Sequence, residues 1–263
     1  SLQPNSKIMK DQQPLILISN DDGVEAKGIN ELIRFLRPLG HLVVMAPDAP
    51  RSGFACSITC NEPVSYKLLR QEEGLEVYSC SGTPADCVKL AFYSVLQRRP
   101  DLVVGGINHG DNSAVNVHYS GTMGVALEGC MKYIPSVAFS LCDHRADADF
   151  EPMRQVVREI VTKVLRNGLP RGVCLNVNAP RRETFEGVKL CRMTAGSWIN
   201  EVKKMHHPRG YDYYWMVGEY RNDEPEAEDT DNWALRHGYV AITPTQIDVT
   251  AYDAIKYVRE WNI

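Results

Sequence analysis

"LILISNDDG" (residues 15–23) carries a short apolar run straight into two adjacent carboxylates and a glycine. A continuous apolar run bounded by turn residues is the signature of a strand buried on both faces, as in a parallel sheet. Two neighbouring acids at the end of such a strand repel each other and lose hydration, so something must make them tolerable.

Working outward, Ile29, Leu32, Ile33 and Leu36 recur at the helical period and form the buried stripe of a first helix. Further apolar runs follow at "LVVMA" (42–46), "LEVYS" (75–79), "DLVVGGI" (101–107), "SVAFSL" (136–141) and "GVCLNVN" (172–178). Between them, Thr83, Pro84 and Asp86 spell an N-cap, a first-turn proline and a capping-box acid, ahead of an inner face of Val88, Ala91, Phe92 and Val95. A helix opens near Thr122, and Met153, Val156, Val157, Ile160, Val161 and Val164 stripe another. Strands alternating with helices predict an α/β fold with a doubly wound, mostly parallel sheet.

This pattern is expected to end near Pro180. Beyond it, "GVKLCRMT", "YDYYWMVG" and "GYVAITPTQIDVTAY" read as pieces of β-hairpins, separated by an acidic stretch from Asn222 to Asp231 that reads as a solvated loop. The expected organisation is a disordered or expression-derived N-terminus over 1–14, a catalytic core over 15–180, and a hairpin and C-terminal segment over 181–263. A long two-stranded projection is marginal alone and should pack on its own body or on another subunit.

The formal charge of −4 offers no basic face for a phosphate backbone, which argues against nucleic-acid polymers as partners. No apolar run is long enough to span a bilayer, and the polar start lacks the apolar stretch of a signal peptide, so a cytoplasmic protein with no membrane partner is expected. The eight cysteines show no CxxC spacing and read as reduced thiols.

In open parallel sheets ligands bind at the carboxyl ends of the strands. Polar residues gather there at Asn20 to Gly23, at Asp48 and Arg51 to Gly53, at Ser81 to Thr83, and at Asn108 to Thr122. For Asp21 and Asp22 two readings stand: a helix cap, which needs one oxygen only, or ligands to a divalent ion. The oxygen and amide donors nearby favour a hard ion, Mg²⁺ or Mn²⁺, over zinc. "YSGT" (119–122) before a helix is either an ordinary cap or an anion seat. Ser52 and Asn108 are turn residues or neutral oxygen ligands, and His109 and His118 are exposed loop residues or proton shuttles. His206 and His207 are weaker candidates still. The chain has no Walker loop and no GxGxxG, which removes P-loop hydrolysis and dinucleotide binding.

Taken in order, "SNDDG", "APDAPRSG", "SGTPADC", "GINHGDN", "YSGTMGVALEG" and "GYVAITP" resemble the SurE (survival protein E) family of metal-dependent nucleotidases, from Leu15 to about Trp261. The resemblance implies a Rossmann-like domain whose C-terminal segment is exchanged in homodimers or homotetramers. It implies hydrolysis of nucleoside 5′- or 3′-monophosphates to nucleoside and phosphate, with exopolyphosphatase activity on short chains as a further possibility. One divalent ion per subunit would be held by Asp21, Asp22, Ser52 and Asn108. Asn112, Ser120, Gly121 and Thr122 would surround the phosphate. The ion would bridge Asp21, Asp22 and a phosphate oxygen, a carboxylate of the pair would take the proton of the attacking water, and helix N–H groups after Ser120 would stabilise the equatorial oxygens. The chain departs from the family at Ala114, Val115 and Asn116, where glycine and acidic residues are commoner, and at His237, where an acid is common.

The alternative is a Mg²⁺-binding phosphoacceptor receiver module. It calls for an Asp after the third strand and a Lys after the fifth, and "VYSCSGT" and "VAFSLCDH" supply neither. An aspartyl-phosphate phosphatase would need a DxD pattern where this chain has adjacent acids.

Overall fold

The computed structural model describes residues 13–261. The N-terminal expectation lies almost wholly outside these residues. The strands are β1 (Leu15–Ser19), β2 (His41–Pro47), β3 (Tyr66–Glu72), β4 (Leu75–Cys80), β5 (Leu102–His109), β6 (Ser136–Leu141), β7 (Val173–Ala179), β8 (Gly187–Leu190), β9 (Gly196–Ile199), β10 (Val202–His206), β11 (Asp212–Met216), β12 (Glu219–Asn222) and β13 (Tyr239–Gln246). The helices are α1 (Lys27–Leu36), α2 (Pro84–Leu90), α3 (Gly121–Met131), α4 (Arg154–Asn167), α5 (Asp231–Arg236) and α6 (Tyr252–Arg259).

Nine strands form one sheet in the order β3-β4-β2-β1-β5-β6-β7-β13-β8. From β4 to β7 the neighbours are parallel. All five residues of β1 are buried, because its alternate side chains feed two cores. Ile16 and Ile18 pack with Ile29, Leu32 and Leu36 of α1 and with Val157 and Val161 of α4. Leu15 and Leu17 pack with Cys87 and Val88 of α2 and Val125 of α3. Helices thus cover both faces, the doubly wound arrangement the apolar runs predict. Truncating a side chain in either layer, Leu17→Ala for example, would cost about 2–5 kcal/mol. The capping box at Thr83 and Asp86 forms as read, with each side chain bonded to the other's backbone N–H.

The chain winds outward from β1 through β2 to β4, then crosses back to β5 on the other side of β1 and proceeds to β7. The strand order therefore reverses between β1 and β5, and the crevice at their carboxyl ends is where such sheets hold ligands.

Past Pro180 the outcome is mixed. β9 with β12 and β10 with β11 form the expected antiparallel, two-stranded projection. "GVKL" and "GYVAITPTQ" are not hairpin pieces: β13 joins the central sheet antiparallel to β7, and β8 pairs with β13 in parallel. Their half-buried pattern resembles that of a hairpin, and only the pairing partner differs. β3 was not foreseen, because as an edge strand it is exposed along its whole length and carries no burial signature. Among the described residues no helix is long and apolar enough to cross a membrane.

Candidate active site at the strand-order reversal

Asp21 and Asp22 follow β1 directly, and Asn108 and His109 end β5 beside it. A register irregularity interrupts the β5–β6 pairing between Gly105 and Asn108, a place where a bulge re-aims side chains, before Asn108 and His109 pair again with Ser140 and Leu141. α3 approaches from the front, and a Cβ added at Gly121 would lie 2.6 Å from the Asp21 Cβ. Only glycine allows the helix N-terminus to come this close.

Asp21 is buried and accepts a hydrogen bond from Thr122 Oγ1 at 2.5 Å. Burial pushes its carboxyl up to about 6; the Thr122 hydroxyl and the Gly121 backbone oppose this, and the neighbouring Asp22 charge adds to it. Asp22 is partly exposed and accepts from the His109 N–H at 3.1 Å. Burial raises its carboxyl too, against the His109 N–H and the imidazoles of His109 and His144. Neither acid forms an ion pair with Lys or Arg among the described residues. The donors supplied by the protein therefore leave the pair short of positive charge.

The remaining oxygens fit a hard divalent ion. Asn108 Oδ1 lies 3.5 Å from Thr122 Oγ1, while its amide donates to the Gly110 carbonyl. Asn20 Oδ1, at the same strand end, is buried without a hydrogen-bond partner. Ser52 is exposed and follows Arg51, whose N–H donates to the Asp21 carbonyl at 2.7 Å, so the loop after β2 is pinned beside the pair. Among the described residues no group of three or more His, Cys, Asp or Glu side chains could hold a metal. Asp21, Asp22, Ser52 and Asn108 include only two such side chains, so the expected set relies on neutral oxygens for the rest.

Of the expected phosphate residues, Ser120 is the N-cap of α3 and accepts from the Met123 N–H, so the cap reading of its hydroxyl is realised. Gly121 and Thr122 stand against Asp21. Asn112 lies farther along the loop, its side-chain amide donating to Ser140 Oγ at 2.8 Å. His109 packs edge-on against Phe150, and His118 is exposed on the loop. His144, just past β6, was not among the expected site residues, although "VAFSLCDH" contains it; a Cβ at Gly110 would sit 2.1 Å from its ring.

The acidic stretch needs correction. Asp231, expected in a solvated loop, is fully buried at the start of α5, while Glu224 and Asp229 pair with Arg192. Local charge cannot tell which acid of a run is covered by another segment. The departures from the family also find partners. Ala114 has φ of +50°, which explains a preference for glycine there. Asn116 Oδ1 accepts from Trp198 Nε1 at 2.9 Å, tying the loop to β9. His237 stacks on Trp233 with 3.8 Å between ring centres.

Comparison with known proteins identifies the family and the fold. Residues 16–200 match the family model described as survival protein SurE. The chain is 61% identical over 255 residues to the 5′-nucleotidase SurE of Phocaeicola vulgatus, covering 97% of this chain and 99% of that one. It is 58% identical over 247 residues to the 5′-nucleotidase SurE of Bacteroides thetaiotaomicron, covering 94% and 95%. The crystal structure of the SurE protein from Aquifex aeolicus superposes with a TM-score of 0.81 at 38% identity, over 95% of this chain and all of that one.

Proposed function

This chain belongs to the SurE family, and from that premise we propose that it is a divalent-metal-dependent phosphohydrolase of nucleoside monophosphates, releasing nucleoside and phosphate. The observation that carries the reading is the pair of under-compensated carboxylates, Asp21 buried and Asp22 half-buried, at the strand-order reversal, facing the N-terminus of α3. Asp21, Asp22, Ser52 and Asn108 would hold one Mg²⁺ or Mn²⁺ ion. When bound, such an ion supplies Lewis acidity and neutralises charge on a phosphoryl oxygen.

The protein's own groups account for the rest. Thr122 orients Asp21 through its hydroxyl and keeps that carboxylate turned toward the helix start. Asp22, the more exposed of the two, stands where it can take the proton of an attacking water. The N-terminus of α3 favours an anion at the acidic pair: its Gly121 N–H already faces the Asp21 carboxylate, and the partial positive charge of the first turn extends to a phosphate beside it. Ser120 caps that turn, and Asn112 has a second amide hydrogen to offer a phosphate oxygen. Activity on 3′-nucleotides and on short polyphosphate belongs to the same proposal, because the chemistry at phosphorus is shared.

The two-stranded projection and the exposed rings of Tyr252, Tyr257 and Trp261 support assembly as a homodimer or homotetramer. The test of function is a panel of nucleoside 5′- and 3′-monophosphates assayed for released phosphate with Mg²⁺, Mn²⁺ or chelator. Metal-dependent release is expected, and undiminished release in EDTA would reject the reading.

A further inference from the structure

We propose that Asp231 is a positioning residue for the phosphate-binding loop, acting through the backbone of Ala114; the inference rests on the phosphohydrolase reading above. The loop between β5 and α3 has both ends at the acidic pair, Asn108 and His109 at one and Ser120 to Thr122 at the other. Its middle is held by side chains from distant parts of the chain. At residue 112, the Asn112 N–H donates to Asn178 Oδ1 at 2.7 Å, and Asn176 Nδ2 donates to the Asn112 carbonyl at 2.7 Å. At residue 113, Asn232 Nδ2 donates to Ser113 Oγ at 2.9 Å. At residue 114, the N–H donates to Asp231 Oδ2 at 2.8 Å.

Asp231 is fully buried and forms no ion pair among the described residues. It is satisfied instead by four donors. Oδ1 accepts from the Thr194 N–H at 3.0 Å, from the Thr194 hydroxyl and from the Asn232 N–H at 2.8 Å, and Oδ2 accepts from Ala114 alone. A buried carboxylate anchored on one oxygen by a neighbouring segment presents the other as a fixed acceptor. That acceptor meets the residue whose φ of +50° an alanine adopts reluctantly. The carboxylate thereby holds the loop in the bend that brings Ser120 and Gly121 against Asp21, from a position 117 residues away in sequence.

The asymmetry of the two oxygens supplies the test. In Asp231→Asn the amide nitrogen takes the Oδ2 position, where it forfeits one hydrogen bond rather than three, so Ala114 alone is released. Thr194→Val is the matching control, because it weakens the other side of the same carboxylate and leaves Ala114 bonded. Hydrogen exchange of the residue 112–115 amides would be followed in the metal-free chain, together with kcat and KM for AMP with Mn²⁺ and the thermal midpoint. Asp231→Asn is expected to speed exchange by about tenfold or more and to lower kcat/KM by about tenfold or more. Thr194→Val is expected to lower the thermal midpoint while leaving both within about threefold.

Unchanged exchange in Asp231→Asn, faster exchange with unchanged kcat/KM, or equal losses in the two variants would overturn the inference while leaving the phosphohydrolase reading intact. An unmodified protein that releases no phosphate from any nucleotide with Mg²⁺ or Mn²⁺ would overturn both.

Discussion

Two buried acidic sites lie at opposite flanks of one loop, and the protein treats them in opposite ways. Asp231 receives four hydrogen bonds and stands alone. Asp21 has a second carboxylate beside it and relies on a threonine hydroxyl and the Gly121 backbone, while Asp22 receives the N–H of His109. A buried charge that is fully hydrogen-bonded fixes structure; a pair left under-compensated stores an unfavourable interaction that a cation can relieve. On the proposed reading, the contrast separates an acid that shapes the loop from the acids assigned the chemistry.

The sharpest way to break this contrast is to neutralise the pair. Asp21→Asn or Asp22→Asn should lower turnover by about a hundredfold or more, the scale on which removal of a preorganised charge-stabilising group acts. The folded state should remain as stable as before or become more so, because a like charge has been removed from a buried place. Phosphate release and thermal melting of the same samples check both halves.

The next effect is on stability against pH. The Asp21 carboxyl lies at about 6 in the folded chain against 3.8 ordinarily, so the folded state holds its proton more tightly than the unfolded one. Stability of the metal-free protein should therefore fall as pH rises from about 4 through about 6. The difference of about two pH units corresponds to ~3 kcal/mol. Urea unfolding in EDTA across that range measures it, and Asp21→Asn should flatten the slope.

A smaller loss is expected from Gly121→Ala, whose Cβ would stand 2.6 Å from that of Asp21. Pushing the helix back should cost about 1–3 kcal/mol, readable in denaturant midpoint, and should lower turnover as the helix start leaves the acids. At the bottom of the scale, His118→Ala should change kcat/KM by less than about twofold, since the side chain is exposed and surface substitutions of this kind are close to neutral. A large loss there would move the chemistry away from the pair.

The part of the molecule that carries the acids was also the part most legible in sequence. A strand buried on both faces cannot hide: "LILIS" and "LVVGGI" are apolar because two helical layers cover them, and the first polar residues after each strand form the candidate site. Asn108 and Ser52 could be suspected on the same logic, without contact information. The Asp231 side was illegible for the converse reason. Its role depends on Thr194 and Ala114, neither a sequence neighbour, and its surroundings read as a charged run. β13 was misplaced because alternation reports a half-buried strand and says nothing about its partner, which proved to be β7. His144 carried a usable signal, a polar residue just past a strand end.

Calorimetric titration of Mn²⁺ into the unmodified protein and into the Asp21→Asn, Asp22→Asn double variant tests the central claim most directly. The account predicts one ion per chain, bound with release of protons near pH 6, and loss of that binding in the double variant. Equal binding by both proteins would contradict it.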